Sequence, residues 1–236
     1  PEFLVFLLEC FHNSLRKEVT MEVAGNVTNE KDIIAKKCYE VMRNQFSKDY
    51  SEIIKIFYGI QITRLTSLTD DLLSIVPEPH CLISLPITKE CNNIYDCFNI
   101  YCENEELNGD NAWFNDKTKK YEVVNKDIKF WSLPNILIVD LKRFNNKMQK
   151  INKLIEVPTE GLNLQKYVIG YNSETYIYNL FGVCNHMGSS FGGHYTAYVK
   201  NANNNWYEFN DTNVSLINPN KVITNNAYCF FFIKKN

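Results

Sequence analysis

The sequence predicts an α+β fold, with helices confined to its first part and a twisted antiparallel sheet in its second. Two patterns predict it. The opening stretch places Phe3, Leu4, Leu7, Leu8, Phe11 and Leu15 at helical spacing, and a second helical pattern runs from about Lys31 to Phe46. After about residue 126 the chain breaks into short apolar and aromatic runs cut by Asn, Gly and Ser turns, which is the rhythm of antiparallel strands. The 236 residues, 45% hydrophobic and 22% charged, suffice for one sizeable core.

Taken in order, residues 1 to about 20 form the first expected helix, apolar over a broad face. Thr28-Asn29-Glu30 reads as the cap of the second. From Ile53 the rhythm shifts towards β, in IIKIFYGIQIT and then CLISLPI. Between about Tyr101 and Lys126 the chain is polar and turn-rich. Strand character then fills FWSLPNILIVDLKRF, KLIEV, TYIYNLFGVCNH, HYTAYVKN, NWYEFN and NAYCFFFIKK. There is no internal repeat.

A net charge of -2 gives no reason to expect nucleic acid or a membrane surface as partner. The longest apolar run, FLVFLLECF, is too short to span a bilayer. Eight cysteines (Cys10, Cys38, Cys81, Cys91, Cys97, Cys102, Cys184 and Cys229) contain no C-x-x-C pair. Several lie inside apolar stretches, so they read as buried free thiols of a reduced, intracellular protein.

The stretch that carries chemistry is Gly182 to Asp211. A Gly/Ser-rich loop ends in Gly192-Gly193-His194 and leads into a strand through Tyr195; a turn between Asn201 and Asn205 starts a second strand that ends at Asn210-Asp211. Antiparallel pairing of these strands sets the imidazole of His194 beside the side-chain amide of Asn210. An amide oxygen there fixes the tautomer and aims the other ring nitrogen outward, the arrangement of a general base and its orienting residue. His12, His80 and His186 read as structural histidines.

At these residues the chain resembles the ubiquitin-specific protease family, whose histidine box reads approximately G-G-H-Y-x-A-Y and then W-Y-x-F-D/N-D. Further matches follow in family order. They are Glu2-Phe3-Leu4 with Leu7-Leu8, Ser51 to Gly59, Ile83 to Ile87, Ile94-Tyr-Asp-Cys-Phe and Glu106-Leu107 with Gly109-Asp110-Asn111. Leu133-Pro134 through Leu141-Lys142-Arg143-Phe144, Lys150-Ile151, Val157-Pro158, Leu162-Asn163-Leu164, Ala227-Tyr228 and Phe230-Phe231-Phe232 complete the series.

The resemblance implies the papain-like cysteine protease architecture of thumb, fingers and palm. The thumb part is expected at 1–52, β fingers at 53–125 and the β palm at 126–236. It implies a deubiquitinase that needs no cofactor, with His194 as base, Asn210 orienting it and Asp211 beside them. Gly192, Gly193 and Tyr195 would line a channel for the Gly-Gly tail of ubiquitin, under a flap running from His186 to Phe191. The family's cysteine box lies upstream of the matched segment, and none of the eight cysteines follows its Gly-Asn-Thr pattern. The nucleophile is therefore expected on residues outside this chain, in a second polypeptide or a severed one, and the chain alone is expected to be inactive. Two alternatives remain: an inactive ubiquitin-binding scaffold, and a protease for a ubiquitin-like modifier. The family's finger zinc sites correspond to Thr63-Arg-Leu-Thr66 and Asn115-Asp-Lys-Thr118. These are poor zinc ligands, so no structural metal is expected.

Overall fold

The computed structural model describes Glu2–Lys235; Pro1 and Asn236, at the ends of the expected thumb and palm, lie outside the described residues. In chain order come α1 (Glu2–Leu15), α2 (Glu30–Phe46), α3 (Glu52–Phe57), β1 (Gly59–Thr66), β2 (Leu72–His80), β3 (Ile83–Leu85) and α4 (Ile94–Tyr101). The strands β4 (Glu105–Leu107), β5 (Trp113–Asn115), β6 (Lys120–Glu122), β7 (Val124–Ser132) and β8 (Ile136–Leu141) follow. The remainder is β9 (Leu162–Asn163), β10 (Ile177–Ser189), β11 (Gly192–Lys200), β12 (Trp206–Asn210), β13 (Asn213–Ile217) and β14 (Ala227–Lys234).

The expected cap of α2 is present. The Asn29 side chain accepts from the Asp32 backbone N–H at 3.0 Å, and the Asp32 carboxylate accepts from the N–H and hydroxyl of Thr28. The stretch after Ile53 differs from its expected β character. Residues 52–57 form α3, because Ile53 and Ile54 are both buried and a six-residue apolar run carries too little periodicity to separate helix from strand. Ile94-Tyr-Asp-Cys-Phe, expected in a finger hairpin, is likewise α4. Asn93 and Asp96 close a full capping box there, and Ile94, Cys97 and Phe98 turn inward. KLIEV is extended chain with a single bridge, Asn93 to Glu156, and forms no strand.

Two main sheets result. The smaller has the order β2-β1-β7-β4 and is antiparallel throughout, with β5 and β6 forming a separate hairpin. The larger has the order β13-β12-β11-β10-β14-β8-β3, with β9 paired to β10. It departs from the expected antiparallel pattern at one edge, where β3 runs parallel to β8. β3 and α4 fall within residues 53–125 yet belong to the large sheet and its core, while β7 carries the small sheet on to Ser132.

Both faces of the large sheet are covered at β8 and β14, which explains the near-continuous apolar runs ILIV and FFF. On one face Leu137, Val139, Phe230 and Phe232 pack with Phe98, Cys97 and Cys91 around α4. On the other, Ile138 and Cys229 meet Leu8 of α1 and Ile53 of α3. A third cluster seats Ala35 and Cys38 of α2 on Ile60, Ile62 and Trp131 at the base of the small sheet. All eight cysteines are free thiols; Cys10, expected to be buried in its apolar stretch, is exposed because α1 turns that side outward, while burial pushes Cys38 and Cys97 up to about 12 and Cys102 to about 11. α1 is the exception to this packing: Leu8 is its buried residue, while Phe3 (75% exposed), Phe6 (60%), Phe11 and Leu15 face outward.

Candidate active site

The site forms where β11 begins and β12 ends. The turn expected between Asn201 and Asn205 closes through Asn201 N–H to Asn205 O at 3.0 Å, and the ladder pairs Lys200 with Trp206 and Ala197 with Phe209. Beyond the last rung, His194 and Asn210 sit diagonally on one face, within reach of each other. The Nε2 of His194 lies 2.7 Å from the Oδ1 of Asn210. An amide oxygen only accepts, so Nε2 carries the proton and Nδ1 keeps its lone pair. Among the described residues Nδ1 has no hydrogen-bond partner, and His194 is exposed. The arrangement is a strand-end imidazole with one nitrogen held and the other free to take a proton.

Asp211 occupies the tight turn between β12 and β13, at φ +50°, where Asn210 pairs with Asn213. Its carboxylate makes no hydrogen bond to His194 or Asn210 among the described residues. The left-handed backbone of that turn accounts for an Asp there on local grounds.

The segment from His186 to Phe191, expected as a loop, is instead the tip of a two-stranded ribbon. His186 pairs with Tyr195, Met187 with His194, Gly188 with Gly193 and Ser189 with Gly192, leaving Ser190 and Phe191 to turn the chain. Glycine permits this closeness. A Cβ on Gly193 would stand 2.3 Å from His186 Nε2 and 2.4 Å from Met187 O, and Gly188 has φ +131°. Gly192, by contrast, has open space where a side chain would be. Phe191 is 91% exposed at the tip.

His186 is buried beneath this ribbon, 4.7 Å from the Tyr195 ring and within 6 Å of Phe144 and Tyr228. Burial, and the ammonium of Lys150 next to it, hold its pKa below the usual histidine value. Lys150 donates to the His186 carbonyl. Arg143, itself buried, reaches the carbonyls of Ala227, Ile151 and Lys153, tying the end of β8 to the start of β14 and to residues 151–153. Tyr195 is 57% exposed, with its ring resting on His186.

One residue gave no clear signal in the sequence. Asn185 is buried on β10 and bridges Thr196 of β11 and Thr224, at 3.5 Å each, fixing the strand that carries His194. The sole signal was its place beside His186 in the run GVCNH, and an isolated Asn in an Asn-rich chain stands out poorly. The thiols are no closer to a nucleophile than the sequence implied. No hydrogen bond joins a cysteine to His194 among the described residues, and burial raises Cys81, Cys184 and Cys229 above the ordinary thiol range. The finger positions hold oxygen and amide groups, Thr63, Thr66, Asn115 and Thr118, which do not fit a zinc ion.

A profile of the ubiquitin carboxyl-terminal hydrolase family matches residues 1–232. The chain belongs to that family. As a hydrolase-family member it is 35% identical over 173 residues to ubiquitin carboxyl-terminal hydrolase 4 of Pongo abelii, covering 71% of this chain and 18% of the relative. It is 29% identical to ubiquitin carboxyl-terminal hydrolase 2 of Bos taurus over 98% of this chain and 39% of the relative. Among solved structures, Ubp8 in the SAGA deubiquitinating module superposes on the whole chain with a TM-score of 0.77 at 24% identity, and the match covers 50% of the Ubp8 chain. The papain-like fold of the family is therefore the fold of this member, which spans less than half the length of these curated relatives.

Proposed function

We propose that this chain supplies the base and the ubiquitin-binding surface of a thiol-dependent deubiquitinase. One observation carries the reading: the 2.7 Å His194–Asn210 bond, with Nδ1 left free at an exposed strand end. In the proposed reaction His194 Nδ1 takes the proton of a cysteine thiol, and the thiolate adds to the carbonyl carbon after the terminal glycine of ubiquitin. The imidazolium gives its proton to the leaving lysine amine as the C–N bond breaks. A water deprotonated by His194 then hydrolyses the thioester, releasing the ubiquitin carboxylate and restoring the thiol. Asn210 keeps the ring in the required tautomer, and Asp211 adds a negative charge in the adjoining turn. The ribbon bearing Gly192, Gly193, Tyr195 and Phe191, with His186 beneath it, forms one wall of the channel for the tail.

The nucleophile in this reading comes from residues outside these 236, on the same polypeptide or another. Two features support it: the thiols of Cys38, Cys97, Cys102 and Cys229, buried and raised in pKa by that burial, and the outward aromatic face of α1, which offers a seat for such a segment. The thumb in this reading comprises residues 1–52. The fingers are best drawn as the small sheet with its hairpin, and the palm as the large sheet. Related structures include Ubp8 bound to monoubiquitin and Ubp8 assembled with Sgf11, Sus1 and Sgf73, so ubiquitin is the proposed substrate partner and a reduced intracellular setting the proposed location. No helix among the described residues is long and apolar enough to cross a membrane.

The test is intact mass after incubation of the purified protein with ubiquitin carrying a cysteine-reactive C-terminal warhead. An adduct on a peptide outside this chain, lost in His194→Ala, supports the reading. Ubiquitin binding with no adduct on any polypeptide in the sample overturns it in favour of an inactive scaffold. Reaction with a ubiquitin-like modifier in place of ubiquitin moves the substrate to that relative.

A further inference from the structure

We infer that His186 is a positioning residue: its neutral ring seats the β10–β11 ribbon, and a proton on that ring unseats it, so the strand end carrying His194 loosens in mild acid. That the loosened ribbon also loses its hold on the tail of ubiquitin rests on the deubiquitinase reading above.

The ring is 4% exposed, and its Nδ1 is buried without a hydrogen-bond partner. Gly193 turns a bare Cα towards Nε2, where a Cβ would collide. The Tyr195 ring of β11 lies 4.7 Å away, Phe144, just after β8, at 5.8 Å, and Tyr228 of β14 at 5.9 Å. The backbone is held as well: the His186 N–H donates to the Asn226 carbonyl, and the His186 carbonyl accepts from the Lys150 ammonium. The ring is thus the floor on which His186–Ser189 pairs with Gly192–Tyr195, and Met187 stands directly opposite His194.

Such a seat tolerates a neutral imidazole and not a cation. An imidazolium donates from both nitrogens, and Nδ1 has no acceptor to reach. The charged group acting on the ring is Lys150, a like charge, itself under the repulsion of the buried Arg143. The other titratable neighbours are the phenols of Tyr195 and Tyr228, which burial keeps neutral. The carboxylates of Glu2 and Asp140 act on those phenols rather than on the ring. Three aromatic faces attract a cation, but they offer no acceptor and leave Lys150 unopposed. With the ribbon closed, the ring therefore takes a proton less readily than the ordinary histidine it becomes when the ribbon opens. Closure is complete above about pH 6.5 and weakens as pH falls below it.

The test is amide hydrogen exchange of the purified protein between about pH 7.5 and 5, each rate divided by the intrinsic rate at that pH. Protection of residues 187–193 should fall by up to about tenfold for each pH unit below about 6.5. It should stay below the protection of β8 throughout, which marks the opening as local. His186→Phe keeps an aromatic ring without a proton to gain, and its ribbon protection should be level across the range. Lys150→Met removes the like charge and should shrink the fall, which keeps the test if His186→Phe does not fold. A level profile in the unsubstituted protein, an equal fall in both variants, or ribbon protection equal to that of β8 overturns the seat. Ubiquitin binding is then followed over the same range in His194→Ala, where the proposed base no longer titrates. It should weaken in step with ribbon protection, and the weakening should vanish when His186→Phe is added. Acid-insensitive binding beside a loosening ribbon overturns the hold on the tail. Absence of ubiquitin binding at every pH sinks the deubiquitinase reading together with that hold, while exchange still decides the seat.

Discussion

The two sheets are stabilised by different means. The large sheet is sandwiched, with Leu137, Val139, Phe230 and Phe232 buried on one side and Ile138 and Cys229 on the other. The small sheet has apolar cover only at its base, where Ile60, Ile62 and Trp131 meet α2, and beyond that relies on cross-strand polar contacts such as Arg64–Asp127. Its outer residues Leu68, Leu72 and Val76 are exposed. His194, the proposed base, stands on the sheet with close packing, which resists displacement. The lighter sheet is free of that demand and suits adaptable contact with a protein surface.

The largest expected effect lies on the packed side. His194→Ala should cost roughly 10²–10⁴-fold in the rate of warhead capture or isopeptide hydrolysis, with the melting temperature barely moved, since the ring is exposed. An equal loss of melting temperature would show that the pair is structural, and the comparison would break. Next comes Phe232→Ala, which empties a fully buried position and should destabilise the protein by about 3–5 kcal/mol in urea or thermal unfolding.

The junction of the two sheets offers a pH test. His80, at the end of β2, packs on Phe130 with both ring nitrogens buried and unpartnered, and burial holds its pKa down at about 4. The unfolded chain, with an ordinary histidine value of about 6.5, takes up a proton first as pH falls. Stability contributed by the neutral ring is therefore complete above about pH 6.5 and is lost as pH falls towards 4, by about 3 kcal/mol at most. Unfolding midpoints measured between about pH 7.5 and 4.5 should show this slope, and His80→Leu should flatten it. An identical slope in the variant would assign the acid sensitivity elsewhere. The smallest effect is expected at the finger hairpin, where Tyr121 is 74% exposed: Tyr121→Ser should move stability by less than about 0.5 kcal/mol.

Legibility in the sequence follows the same division. α2 was readable to its cap, because Asn29 and a 17-residue periodic run announce it. The His194–Asn210 contact was readable because hairpin pairing is arithmetic once the turn is located at Asn201–Asn205. The short elements were not. α3 and α4, with six and eight residues, carry apolar runs whose helical character is decided by what they pack against. β13 escaped notice because its residues are mostly exposed and its neighbours set its pairing. The burial of His186 under the ribbon depends on Gly193 lacking a side chain, a three-dimensional fit that GGH in the sequence marks without explaining.

The hairpin of β11 and β12 also constrains how this protein can lengthen. His194 and Asn210 meet because an even-handed ladder keeps both on one face, so the intervening chain is fixed in parity but free in extent. Residues added at the exposed turn of Ala202, Asn203 and Asn204 lie outside the ladder and leave the pair facing each other. A single residue added between Trp206 and Phe209 would turn the Asn210 amide to the far side and leave the imidazole unheld. Insertions should therefore accumulate at that turn and be absent from the five residues of β12.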